Sequence, residues 1–154
     1  MAPPLKLSPH FDLDELTKSQ TALRLGIYNQ PDPEALQYLT DLCNYILEPV
    51  RDRFGAFSPS SAYRSPDLCK AIGSKPTSQH AMGQAADFEI VGVDNLTLAK
   101  WIQYNEQFDQ LILEYYTDGK TNSGWVHCSY VSPALSNRKD VLRYDGVSYQ
   151  KGLE

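Results

Sequence analysis

The chain is poor in several things that whole classes of function require. It has no apolar run approaching the roughly 20 residues that cross a bilayer, so no membrane partner is expected. Its start, Met1-Ala2-Pro3-Pro4-Leu5-Lys6-Leu7-Ser8, lacks the apolar core of a secretory signal. The expectation is a chain made as a soluble cytoplasmic protein, needing outside help for any export. Basic residues are scarce: 14 Lys and Arg face 19 acids, for a net charge of −5. That balance argues against nucleic acid as a partner, since such domains carry a basic face. The three cysteines, Cys43, Cys69 and Cys128, are widely spaced and form no Cys-x-x-Cys pair. They fit neither a disulfide framework nor a four-cysteine zinc site and read as buried free thiols.

Histidine is equally scarce, yet two of the three fall in one constellation. Ser78-Gln79-His80-Ala81-Met82-Gly83-Gln84-Ala85-Ala86-Asp87 is answered forty residues on by Trp125-Val126-His127-Cys128-Ser129. Two imidazoles and one carboxylate are the ligand set of a catalytic zinc, with a fourth tetrahedral position left for water. His80, Asp87 and His127 are therefore the candidate metal ligands. His80 follows a polar loop, a poor place for a satisfied core histidine. Asp87 stands in an apolar strand, where an unpaired carboxylate is costly and only a metal or a buried arginine relieves it. Gly83 suits a tight turn between the two. His10 reads as a surface residue.

At 154 residues, with ten tyrosines, five phenylalanines and two tryptophans for core material, one domain spanning 1–154 is expected. Residues 1–10 form an arm without periodicity. Asp12 and Glu15 have capping-box spacing for a helix carrying Leu13, Leu16 and Leu23 and stopped by Gly26. Asp32 with Pro33 opens a longer helix whose apolar stripe runs Leu36, Leu39, Leu42, Cys43, Ile46, Leu47, Val50 and Phe54. Pro49 inside it predicts a kink. Phe57 to Tyr63 reads as an edge strand, Ser65-Pro66 as the start of a short helix through Ile72, and Gly73 to Thr77 as a loop. Strands are predicted over 85–91, 109–116 and 125–131, a helix over 95–107, and a hairpin turning at Asp145-Gly146. The pattern is α+β, with a central, mainly antiparallel sheet, helices packed on one face and the zinc site in a cleft on the other.

Strand parity ties the site together. His127 shares a face with Trp125 and Ser129, and Cys128 points away from it. Glu114 shares a face with Ile112 and Tyr116. If the two strands are neighbours in register, Glu114 and His127 face one cleft with Asp87. Glu114 is then the candidate general base, against a plain salt bridge. Arg64 either holds a substrate carboxylate, steadies an oxyanion, or pairs with Asp67. Ser78, Gln84 and Ser129 are candidate supporting hydrogen-bond donors, and Tyr63 a candidate substrate contact beside Arg64.

Four segments carry a resemblance: Ser61-Ala62-Tyr63-Arg64-Ser65-Pro66; Ser78-Gln79-His80 with Gly83-Gln84-Ala85-Ala86-Asp87; Phe108-Asp109-Gln110-Leu111-Ile112 with Glu114; and Trp125-Val126-His127-Cys128-Ser129-Tyr130. Together they resemble the zinc D-Ala-D-Ala peptidase family, whose wider group includes peptidoglycan peptidases, phage endolysins and the hedgehog signalling domain. Leu7-Ser8-Pro9, Phe11, Glu15-Leu16, Ser19-Gln20 and Glu48-Pro49-Val50-Arg51 resemble its small single-domain phage and bacterial branch. The resemblance implies one Zn2+ per chain at His80, Asp87 and His127, with Arg64 near the substrate. The chain departs from part of the family at Gly124, where the dipeptidases and several endolysins carry a glutamate three residues before the second histidine. Glu114 is similar in placement to the hedgehog glutamate. The implied activity is hydrolysis of a bond in the peptidoglycan stem peptide or cross-link, of carboxypeptidase, endopeptidase or endolysin type. A phage lysin would act on the wall with a pore-forming partner for release. The alternative is a catalytically silent zinc-bearing binding or virion structural module.

Overall fold

The computed structural model describes residues 3–132 and 137–154. From Pro3 on, the first ten residues are not the shapeless arm expected. Lys6–Ser8 (β1) pairs antiparallel with Phe11–Asp12 (β2). Glu48 fastens the pair: Ser8 Oγ donates to it at 2.6 Å and the His10 N–H at 2.7 Å, while the His10 ring nitrogen lies 2.8 Å away. Burial lifts the Glu48 carboxyl, but these three partners outweigh it and hold the group below its ordinary value.

Leu13–Thr17 (α1) and Gln20–Leu25 (α2) are two helices where periodicity predicts one. Ser19 leaves helical geometry at φ −160° and caps α2 by accepting from the Ala22 N–H. Gly26 ends α2 in the left-handed conformation, as expected. Asp12, Asp32, Ser65 and Asp94 likewise accept backbone N–H groups at the starts of α1, Pro33–Leu42 (α3), Pro66–Ala71 (α5) and Asn95–Asn105 (α6). Each such cap contributes about 1 kcal/mol. The kink expected at Pro49 takes a specific form. Cys43–Leu47 is a π-helical turn between α3 and Glu48–Phe54 (α4), in which the Glu48 N–H reaches five residues back to Cys43 O. Proline has no N–H to donate, and the wide turn falls where the helical ladder loses that donor.

The main sheet is mixed. Ala85–Phe88 (β3), Gln110–Glu114 (β4), Trp125–Ser129 (β5), Asp140–Tyr144 (β6) and Tyr149–Lys151 (β7) lie in the order β3-β5-β4-β6-β7. Only β4 and β6 run parallel. The strand expected over Phe57 to Tyr63 does not form: a single bridge joins Ser61 to Asp87. Proline at 59 is poorly suited to a ladder, and Phe57 turns its ring onto Phe11 and Phe88 instead. β3 stops at Phe88 rather than Val91. The hairpin after β6 is wider than a two-residue turn, because Asp145 Oδ1 accepts from both the Val147 and Ser148 N–H groups.

Alternation sorts the sheet's two faces. Phe88, Leu111, Leu113, Val126 and Cys128 join Leu39, Leu42, Ile46, Val50, Leu98 and Ile102 in one buried cluster. Burying each leucine or isoleucine contributes about 2 kcal/mol. The three cysteines are free and buried, as expected. Asp87, Ile112, Glu114, Trp125 and His127 face the other way and line a cavity of about 460 Å³. Among the described residues, no helix is long and apolar enough to cross a membrane.

Candidate metal centre

Asp87 and His127 meet because β3 and β5 are antiparallel neighbours that place the two residues opposite each other. Asp87 Oδ1 lies 2.9 Å from His127 Nδ1 and 3.5 Å from His80 Nε2. His80 arrives from a compact turn in which the Gly83 N–H bonds back to His80 O. Gly83 adopts φ +78°, and a Cβ there would overlap the Ala35 carbonyl oxygen of α3, so only glycine lets the turn seat this deeply. The His80 ring is fixed by its second nitrogen, Nδ1, 2.7 Å from Ala62 O. With Nδ1–H donating to that carbonyl, Nε2 is the nitrogen turned towards Asp87, and its lone pair becomes available to a metal once it carries no proton.

Electrostatics suit a cation. Burial pushes the His80 imidazole below its ordinary pKa, against the pull of Asp87, and so favours the neutral, ligating form. Burial also lifts Asp87, but hydrogen bonds to His127 and His80 more than reverse this and keep it a carboxylate. One ligand atom from each of the three residues lies within 4.8 Å of the others. Two imidazole nitrogens and a carboxylate oxygen are donors that zinc accepts, and the carbonyl-anchored ring is the usual support for such a ligand. The residues therefore fit the ion.

Glu114 lines the same cavity, and β4 and β5 are the in-register neighbours that parity required, with Ile112 opposite His127 and Glu114 opposite Trp125. Its Oε2 accepts from Trp125 Nε1 at 2.8 Å. Burial raises its pKa, opposed by the neighbouring His127 imidazole. Tyr116, expected on this face, is not there. Tyr115 takes a left-handed backbone at φ +56°, which flips the alternation. Tyr115 thus lines the cavity, and Tyr116 turns away to donate to Asp94 at 2.7 Å. Gly124, also left-handed, packs so closely that a Cβ would overlap the Glu114 carbonyl oxygen.

The other residues singled out by sequence divide. Arg64 lines the cavity, its buried Nε lacks a hydrogen-bond partner, and it makes no ion pair with Asp67. Ser78 lines the cavity too, with its hydroxyl 3.7 Å from Cys69 Sγ. Three are not brought to the ligands. Tyr63 lies in the apolar core, where its backbone ties to Leu16 and Asn29. Gln84 is buried, its side-chain oxygen 3.4 Å from Gln79 Nε2. Ser129 is fully buried and accepts from the Gln110 N–H, lacing β5 to β4.

Sequence reasoning missed one supporting cluster. Asp109, 3% exposed, accepts from Arg138 through its backbone and guanidinium and from Gln79 Nε2 at 2.9 Å. Gln79 precedes His80 and lines the cavity. A carboxylate wedged between Phe108 and the apolar strand was the available signal.

A search of curated proteins returned no match. The family described as Peptidase M15 matches residues 9–129, a span that contains all three candidate ligands and Glu114. Over most of its length, then, the chain belongs to the peptidase M15 family, the zinc-dependent metallopeptidases typified by D-Ala-D-Ala carboxypeptidases.

Proposed function

We propose that the protein hydrolyses a peptide bond in the stem peptide or cross-link of peptidoglycan, with His80, Asp87 and His127 as the zinc ligands. One observation carries the reading: a carboxylate with a raised pKa, Glu114, shares one cavity with the three ligands. Zinc bound there supplies a Lewis acid that polarises a carbonyl and lowers the pKa of water towards ~7. The chain supplies the rest. Trp125 Nε1 holds one oxygen of Glu114, leaving the other to take a proton from water and return it to the departing nitrogen. Burial raises the proton affinity of Glu114, which favours that exchange. The Gly124 backbone leaves no room for a side chain, which supports Glu114 over position 124 as the source of the base. Arg64 brings to the cavity a guanidinium whose buried Nε has no hydrogen-bond partner, available to a substrate carboxylate or a developing oxyanion.

The test is digestion of purified peptidoglycan by the zinc-loaded protein, with mass spectrometry of the fragments and Glu114→Gln as control. Cleavage of one stem-peptide bond, abolished in the variant while zinc is retained, is the expected result. It also names the bond, and so decides among carboxypeptidase, endopeptidase and endolysin. Full zinc occupancy with no cleavage of any wall type would overturn the reading in favour of a silent zinc module.

A further inference from the structure

Four aromatic rings stand beside the candidate catalytic groups, and none of them serves the chemistry just described except by holding Glu114. Sheet register lines up Trp125, Glu114, Tyr144 and Tyr149 as one row across β5, β4, β6 and β7. Tyr115 joins this row through its left-handed backbone. Its ring lies 5.0 Å from Trp125 and 5.7 Å from Tyr144, and Tyr144 stacks on Tyr149 at 4.4 Å. Gly146 makes space for Tyr115, since a Cβ there would come within 2.8 Å of the ring. All four rings line the cavity that holds His127 and Glu114, yet Tyr115 is 47% and Tyr149 58% exposed.

Large rings left facing solvent, one held by a left-handed backbone, are a feature that packing alone does not call for. Their shape specifies the ligand. The faces are apolar and uncharged, and the phenol edges carry hydroxyls that donate and accept. A pyranose ring matches both, with C–H groups on its faces and hydroxyls around its rim. The row also runs directly out of the catalytic cavity. Its outer part, β6 and β7, lies beyond residues 9–129, outside the family match.

We propose that Trp125, Tyr115, Tyr144 and Tyr149 form a saccharide platform that holds the amino sugar bearing the stem peptide. The proposal rests on the peptidoglycan reading above, and it makes the enzyme prefer stems still attached to glycan over free peptides.

Two measurements separate the proposals. The first is calorimetric titration of the zinc-loaded protein with a peptide-free N-acetylglucosamine–N-acetylmuramic acid disaccharide. Binding is expected, weakened about tenfold in Tyr149→Ala, the size of one lost stacking contact. Val147→Ala, on the same exposed hairpin and 91% exposed, is expected to bind as the wild type does. The second is kcat/KM for a disaccharide-linked stem peptide against the same peptide free. A preference of about tenfold that falls to near one in Tyr149→Ala is expected. Equal rates on both substrates, or no disaccharide binding, overturn the platform. Cleavage of neither substrate overturns the peptidase reading instead, and the titration then decides the platform alone.

Discussion

Two buried aspartates show how similar burial serves different ends. Asp87 and Asp109 each begin with a desolvation penalty, and each ends below the ordinary carboxylate range because hydrogen-bonded partners outweigh it. Asp109 is held by a guanidinium, which keeps its charge at every accessible pH, and by the Gln79 amide. Asp87 is held by two imidazoles, whose lone pairs become free when their protons leave. The first arrangement is a permanent fastening. The second can exchange its protons for a metal ion, and the partners, more than the aspartate, make the difference.

The largest test of this distinction is Asp87→Ala. Bound zinc is expected to fall from about one per chain to below detection in metal analysis after dialysis, with hydrolysis lost. The same change at Asp109 is expected to lower zinc affinity by only about ten- to a hundredfold, the usual cost of losing a supporting contact. Equal zinc loss in the two variants would erase the distinction. Next in size is Gly124→Ala, which attacks the Asp87 side through its backbone. A methyl group there displaces the Glu114 and Tyr115 main chain, and a cost of about 2–4 kcal/mol in urea unfolding is expected, with hydrolysis lost.

Asp109→Ala is expected to cost about 2 kcal/mol in the same assay. Arg138 is 58% exposed, so solvent softens the 3–5 kcal/mol typical of a fully buried pair. The sign in pH follows from the depressed carboxyl. Its contribution is complete above the unfolded value near 4 and is lost as pH falls through the folded one. Melting temperatures of wild type and Asp109→Asn should therefore converge as pH drops from 5 to 3. A further effect, visible only in its pH dependence, concerns a third acid, Glu106, half-buried at the end of α6. Burial alone shifts it, up to about 7. Its folded state holds the proton more tightly, so stability declines as pH rises from about 4.5 to 7. Glu106→Gln should melt higher than wild type at pH 8 and close to it at pH 5.

The clustering of the candidate metal ligands was legible because its information is local or periodic. His80 and Asp87 sit in one short turn-and-strand string, and alternation put Glu114 and His127 on a common face. Alternation failed one residue later, at Tyr115, since nothing in Leu-Glu-Tyr-Tyr announces a left-handed tyrosine. The Asp109 cluster escaped because Arg138 is 29 residues away, beyond β5. Similarly, the first strand pair depends on Glu48, 40 residues from Ser8. Caps at Asp12, Asp32 and Ser65 were readable because each bonds within its own first turn. A fold-level pattern gave α+β, but the parallel pairing of β4 with β6 has no local signature.

The π turn at Cys43–Leu47 has a consequence for insertions and deletions. Such a turn amounts to one surplus residue in an otherwise α-helical count, and one residue is worth about 100° of rotation. Deleting one residue of the turn would restore α-helical spacing and keep both flanks in phase, whereas straightening the turn with every residue kept would rotate everything upstream by that angle relative to α4. Leu39 and Leu42 would swing out of the core, and the Ala35 carbonyl would leave its seat against Gly83, under the turn that carries His80. The wide turn thus works like a vernier setting, phasing the long helix to the metal centre across the fold.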